Sequence, residues 1–163
     1  MNKVTSASPG LLGLFTNPYD EDGFRTCSVT NLKIHRTVEN LVKVFGLTAV
    51  VALVVGGIAA LFVALTRWEM VGLLGASSFY NWLSVHAWNL LIFWMVFMEI
   101  AILYVGGPIV LGRKLPMPKL AWAGWGIMLG SAVLINVVLF STSAPDNAPL
   151  LTSYAPLPSA PLF

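Results

Sequence analysis

Three stretches of this chain, residues 42–66, 82–111 and 120–140, are each long enough to cross about 30 Å of hydrocarbon at roughly 1.5 Å per helical residue. Hydrocarbon offers a backbone no partners, so each stretch must satisfy its own N–H and C=O groups, and a helix does this within one segment. The expected fold is therefore all-α and integral to a membrane, with three transmembrane helices belonging to a larger helical bundle. Composition agrees: 57% of residues are hydrophobic and 10% charged, against roughly a quarter charged in soluble domains. The second run is about ten residues longer than a span requires, so tilt or extension beyond the bilayer is expected.

The runs divide the chain into an amino-terminal segment (1–41), the three-helix region (42–141) and an outer tail (142–163) rich in proline. The first segment carries turn signals at Asn17-Pro18 and Asp22-Gly23. It lacks the basic, apolar, small-residue order of a secretory signal and is expected to stay on the mature chain. Basic residues set the orientation. Lys3, Arg25, Lys33, Arg36 and Lys43 precede or open the first run, and Arg113, Lys114 and Lys119 join the second to the third. Only Arg67 lies on the other side, so the positive-inside rule puts the amino terminus in the cytoplasm and the carboxyl terminus outside. A prokaryotic cytoplasmic membrane is the expected location. The net charge of +2 gives no reason to expect nucleic acid as a partner, and the lone Cys27 excludes an intrachain disulfide.

Gly126 and Gly130 form a small-residue pair in the third run, as Gly56 and Ala60 do in the first. Such faces let helices approach closely, either within the chain or against another one. Trp68, Tyr80 and Trp82 gather at the outer boundary as an aromatic belt would, and Trp122 and Trp125 mark the inner end of the third run.

Two ionisable residues, His86 and Glu99, lie inside the second run, and such residues read as functional by default in lipid. A neutral imidazole in hydrocarbon needs partners for its nitrogens, and metal ligation supplies one. A histidine near one end of an aromatic-rich helix suggests an axial heme ligand, with Phe93 and Phe97 near the same face to pack a flat apolar cofactor. The competing reading is a histidine bonded to a backbone carbonyl or a lipid headgroup. Glu99 lies about 20 Å further toward the cytoplasm and roughly 220° around a straight helix. It reads either as a station on a proton-uptake path or as an acid bonded to a neighbouring helix or an arginine of a partner chain.

The sequence around His86 carries a resemblance. Phe79, Tyr80 and Trp82 lead to Ser84, Val85 and His86, followed by Trp88 and Asn89. This resembles the second transmembrane helix of heme–copper oxidase catalytic subunits, where Thr or Ser, an apolar residue and a histidine ligating the low-spin heme follow an aromatic-rich opening. Asn89 is similar to the B family of these oxidases. The basic loop ending in Leu115, Pro116, Met117 and Pro118 resembles the turn into their third helix, and Thr152, Ser153, Tyr154, Ala155 and Pro156 resemble an outer Tyr-Pro-Pro-Leu segment. Arg67, Trp68 and Glu69 are similar to an Arg-x-Glu in some members. The matches run in order across about residues 42 to 163.

The resemblance implies a membrane subunit of a respiratory terminal oxidase. Its cofactor is a low-spin heme bound by His86, with Tyr154 and Arg67 near the propionate edge and Glu99 as the proton-path candidate. It implies electron transfer from a cytochrome, copper protein or quinol to an oxygen-reducing, or nitric-oxide-reducing, centre. The chain departs from the family in having three spans where complete subunits have twelve or more, and its other histidine is His35 in the amino-terminal segment. No copper is therefore expected on this chain, no catalysis is expected of it alone, and a polytopic partner chain is expected to complete the heme ligation and the bundle within the lipid bilayer. A non-heme accessory subunit, or a small cytochrome or quinone-interacting anchor, is the other reading.

Overall fold

The computed structural model describes residues 19–141, and the first described element precedes the membrane. A short antiparallel hairpin pairs β1 (Phe24–Thr26) with β2 (Lys33–His35), setting Arg25 opposite Ile34. Its turn closes through Cys27 N–H to the Leu32 carbonyl (2.9 Å) and Asn31 N–H to the Cys27 carbonyl (2.9 Å), with Asn31 in the left-handed region at φ 55°. Asparagine tolerates that conformation better than most residues.

Helix α1 (Arg36–Arg67) starts directly after the hairpin, six residues before the apolar run does. His35 explains the early start: its Nδ1 accepts the Thr37 N–H at 3.3 Å, capping an amide the helix cannot satisfy itself. His35 is thus a cap with its ring edge-on to Phe24 (5.1 Å between centroids). Glu39 in the next turn binds Arg25, Lys43 and the Tyr19 hydroxyl, fastening the hairpin to α1.

The second membrane-length segment, Ser78–Ile109, is an interrupted helix. Helix α2 (Ala76–Ala87) passes into a π-helical stretch at Trp88–Phe93, resumes as α3 (Trp94–Tyr104) and widens again at Val105–Ile109. In the second widening Pro108 has no N–H to give and its ring crowds the preceding turn. In the first, the Asn89 side chain occupies the Val85 carbonyl at 2.8 Å, the acceptor that its own backbone would use in an α-helix. The segment ends where Gly112, at φ 60°, turns the chain and Arg113 N–H closes on the Pro108 carbonyl. Helix α4 (Pro118–Ser141) follows, its membrane-length part being Pro118–Phe140.

Packing follows one stripe on α1. Its buried positions are Val38, Leu41, Phe45, Ala49, Ala52, Gly56, Ala59 and Val63, separated by three or four residues as one helix face demands. Phe93, Phe97 and Ala101 of the second segment and Ala132 of α4 complete the main core. A cluster of Ile34, Val38 and Ile109 joins the hairpin to the adjoining ends of the helices. Lys114 meets Asp22 at 3.3 Å there, so the basic residues of the hairpin and of the second loop share one end of the bundle. Polar contacts help hold helix α4: Trp125 Nε1 donates to Thr48 Oγ1 (3.2 Å), and Asn136 pairs with Asn89. Many large apolar side chains, Leu47, Leu61, Ile127 and Val137 among them, stay exposed as membrane-facing surfaces do.

The small-residue pairs behave differently from each other. A Cβ on Gly56 would lie 3.0 Å from the Leu90 backbone nitrogen, so α1 and the π-helical stretch touch there through the missing side chain. Gly126 and Gly130 have nothing within 4 Å of that position and face away from the described helices. Of the expected outer belt, Trp68 and Tyr80 are exposed, but Trp82 packs inward between Phe62 (4.4 Å) and Phe140 (5.5 Å).

Candidate functional site

His86 stands in the last turn of α2, two residues before the helix widens. Its neighbours Ser84 and Val85 are fully buried, the Ser84 hydroxyl donating to the Tyr80 carbonyl (2.9 Å). The imidazole is half-buried, and its Nδ1 lies 3.0 Å from the Gly56 carbonyl oxygen on α1. A carbonyl can only accept, so Nδ1 carries the proton and donates. The neutral ring then keeps its lone pair on Nε2. Both readings drawn from the sequence meet here, because the bond to a backbone carbonyl is also the contact that fixes the tautomer of a metal-ligating histidine. Gly56 makes the contact geometrically available, since any side chain there would strike Leu90 and hold the two helices apart.

Phe93 and Phe97 meet the same buried stripe of α1 that His86 reaches at Gly56. The π-helical stretch lies between His86 and Phe97, so a count of 100° per residue does not carry across it, and both rings turn into the core with Leu41, Phe45 and Ala49. They line an apolar groove of about 520 Å³ between α1, the second segment and α4, whose polar lining residues are Thr48, Asn89 and Asn136. His86 is not among its lining residues.

Asn136 is a residue the sequence reading missed. Asn89 Nδ2 donates to Asn136 Oδ1 (2.8 Å), and Asn136 Nδ2 returns the bond to Asn89 Oδ1 (3.2 Å) while also reaching the Ala132 carbonyl (2.9 Å). A lone amide in the third apolar run was the available signal. Its role is to lock α4 at the depth of the widened turn beside His86.

Arg67 closes α1 at the end far from the hairpin, exposed, with its guanidinium 5.6 Å above the Phe79 ring. Phe79 precedes His86 by seven residues, about 10 Å of helical rise, so Arg67 lies nearer that end of the bundle than the histidine does. Tyr154 lies outside the described residues. Glu99 sits in α3 on an exposed face and makes no hydrogen bond or ion pair among the described residues. The π-helical stretch also separates it from His86, so their angular offset departs from the straight-helix value. No group of three or more His, Cys, Asp or Glu gathers into a metal site among the described residues.

Outside the membrane, Cys27 occupies the hairpin turn, where the Thr30 hydroxyl and the Thr30 and Val29 amides stabilise its thiolate and lower its pKa to about 7. Burial, and then the charge of Lys114, pushes the His35 pKa below its ordinary 6.5, with Asp20 opposing.

Residues 40–163 match the family described as cytochrome c and quinol oxidase polypeptide I. No curated protein and no solved structure matches the chain.

Proposed function

The chain belongs to the cytochrome c and quinol oxidase polypeptide I family, and on that premise we propose that His86 is one axial ligand of a low-spin heme in a terminal oxidase. The observation that carries this reading is the Nδ1–H bond to the Gly56 carbonyl at 3.0 Å. It fixes the proton on one nitrogen and reserves the other for a metal, the arrangement that raises ligand basicity and holds a ligating imidazole in place. The Ser-x-His spacing and Asn89 favour the B family of these oxidases.

A bound heme supplies one-electron chemistry at its iron. What the protein supplies is position. Gly56 brings α1 against the second segment, and its carbonyl holds the imidazole. Asn89 widens the helix one turn on and ties it to α4 through Asn136. At the outer end Arg67 offers a fixed cation for an anionic propionate, a charge-assisted pairing, and Tyr154 is proposed to act beside it. The second axial ligand and the oxygen-reducing centre belong to membrane helices other than the three described. The chain is then a multi-pass subunit of an oxidase complex, with its basic hairpin end on the cytoplasmic side.

The test is the reduced-minus-oxidised spectrum of the assembled complex carrying His86→Ala. Alanine keeps the helix, so the chain should remain in the membrane while the low-spin absorption disappears. A low-spin band of unchanged intensity in the assembled variant would make His86 a purely structural residue.

A further inference from the structure

The second membrane-length segment buries Val85, Asn89, Phe93, Phe97 and Ala101, each four residues after the last. A regular helix turns about 100° per residue, so four steps overshoot a full turn by about 40° and such a row winds off its neighbour. From Val85 to Phe97 the overshoot would reach about 120°. Both nevertheless pack on α1, Val85 in a cluster with Ala59 and Phe97 in one with Phe45 and Ala49. The π-helical stretch between them makes this possible. There the Trp94 N–H reaches back five residues to the Asn89 carbonyl, a wide turn of the kind that enters an α-helix as one extra residue. Eleven regular steps in place of twelve leave Val85 and Phe97 only about 20° apart.

We propose that Asn89 is a positioning residue for His86: its side chain keeps this turn wide, and the wide turn sets the imidazole on the Gly56 carbonyl with its free edge outside the buried row. Asn89 Nδ2 takes the Val85 carbonyl at 2.8 Å, the acceptor that its own N–H would use in a regular turn. Asn136 holds the amide there by bonding to it in both directions. With a regular turn and α3 kept on α1, α2 would rotate by one residue and His86 would take the place of Val85. That place is closed, for Val85 is 1% exposed and packs with Ala59 and Leu139. In the wide turn the ring is half-buried instead, bonded to Gly56 at 3.0 Å. The proposal rests on the reading of His86 as a heme ligand, and it adds a register that can be measured without heme.

The experiment uses the assembled complex. Asn89→Leu combined with Asn136→Leu removes both amides, so neither is left without its partner. Deleting the exposed Leu91 from that double variant takes out the residue the wide turn absorbs, and a regular helix then keeps both faces on α1. Low-spin heme per chain after washing with a heme-scavenging apoprotein should fall about 10- to 100-fold in the double variant, the scale of losing a contact that orients a metal ligand. It should return when Leu91 is deleted, a recovery that a merely structural role for the amides does not produce. Cysteine pairs in a Cys27→Ser background report the face of α2 without heme. Ala59→Cys should cross-link to Val85→Cys in the parent chain, to His86→Cys in the double variant, and to Val85→Cys again after the deletion. An unchanged preference for position 85 in the double variant overturns the proposal. So does a low-spin band of full strength there, or a deletion that restores neither readout. His86→Ala separates the two claims: a band that survives it defeats the ligand reading, while the cross-links still decide whether Asn89 sets the face of α2.

Discussion

Gly56→Ala is a one-carbon change that the proposed ligand site should feel strongly. The new Cβ would lie 3.0 Å from the Leu90 nitrogen and 3.1 Å from its Cβ, and the first of these is backbone, which cannot swing away. The helices must separate by a few tenths of an ångström, an overpacking penalty on the order of 1–3 kcal/mol. The same movement stretches the His86 to Gly56 bond, now 3.0 Å. Loss of a partner of this kind lowers metal affinity about 10- to 100-fold, or about 1.4–2.8 kcal/mol. Gly57→Ala is the matched control, because nothing lies within 4 Å of its Cβ position. The assay is the ratio of low-spin heme to chain in the purified complex, followed through washing with a heme-scavenging apoprotein. Gly56→Ala should lose heme at least tenfold more readily than Gly57→Ala. Equal retention in the two variants would refute the argument that the carbonyl of Gly56 positions the ligand.

The other predictions concern the supports of the site and the hairpin. Asn89→Ala and Asn136→Ala should each loosen α4 by about 0.6–1.7 kcal/mol, the range for interhelical bonds in lipid, and the double variant should be little worse than either, measured by thermal unfolding of the complex. His35 has a depressed pKa, so the fold favours its neutral ring; the cap on α1 should be intact above pH 6.5 and weaken as the pH falls through the depressed value, because a protonated Nδ1 cannot accept from Thr37 N–H. Hydrogen exchange at the Thr37 amide, corrected for intrinsic rate, should therefore quicken in acid, and a flat profile would contradict this. Cys27 should alkylate with a midpoint near pH 7, moving upward in Thr30→Ala.

Much of this architecture was legible from composition and charge because lipid leaves a backbone so few options. The three spans appear where the apolar runs are, and the ends differ for local reasons: His35 starts α1 early, and Gly112 with Pro108 stops the second segment. The π-helical stretch at Trp88–Phe93 was not legible. It depends on the Asn89 side chain taking a backbone acceptor and on Asn136 taking Asn89 in turn, a contact between residues 47 apart in sequence. His86 stands out in the sequence as an ionisable side chain in a membrane-length run. Its partner Gly56 was noticed only as a small residue suited to close packing, since no sequence pattern reports that a backbone carbonyl lies across from an imidazole.

The central claim is that Nε2 of His86 binds the iron of a low-spin heme. Removing the imidazole and returning it as a free molecule tests this most directly. In His86→Gly complex the reduced-minus-oxidised low-spin band should be absent, and millimolar imidazole should restore it, because the vacated space and the Gly56 carbonyl are the right partners for the free ring. A band that persists in His86→Gly without imidazole would contradict the claim.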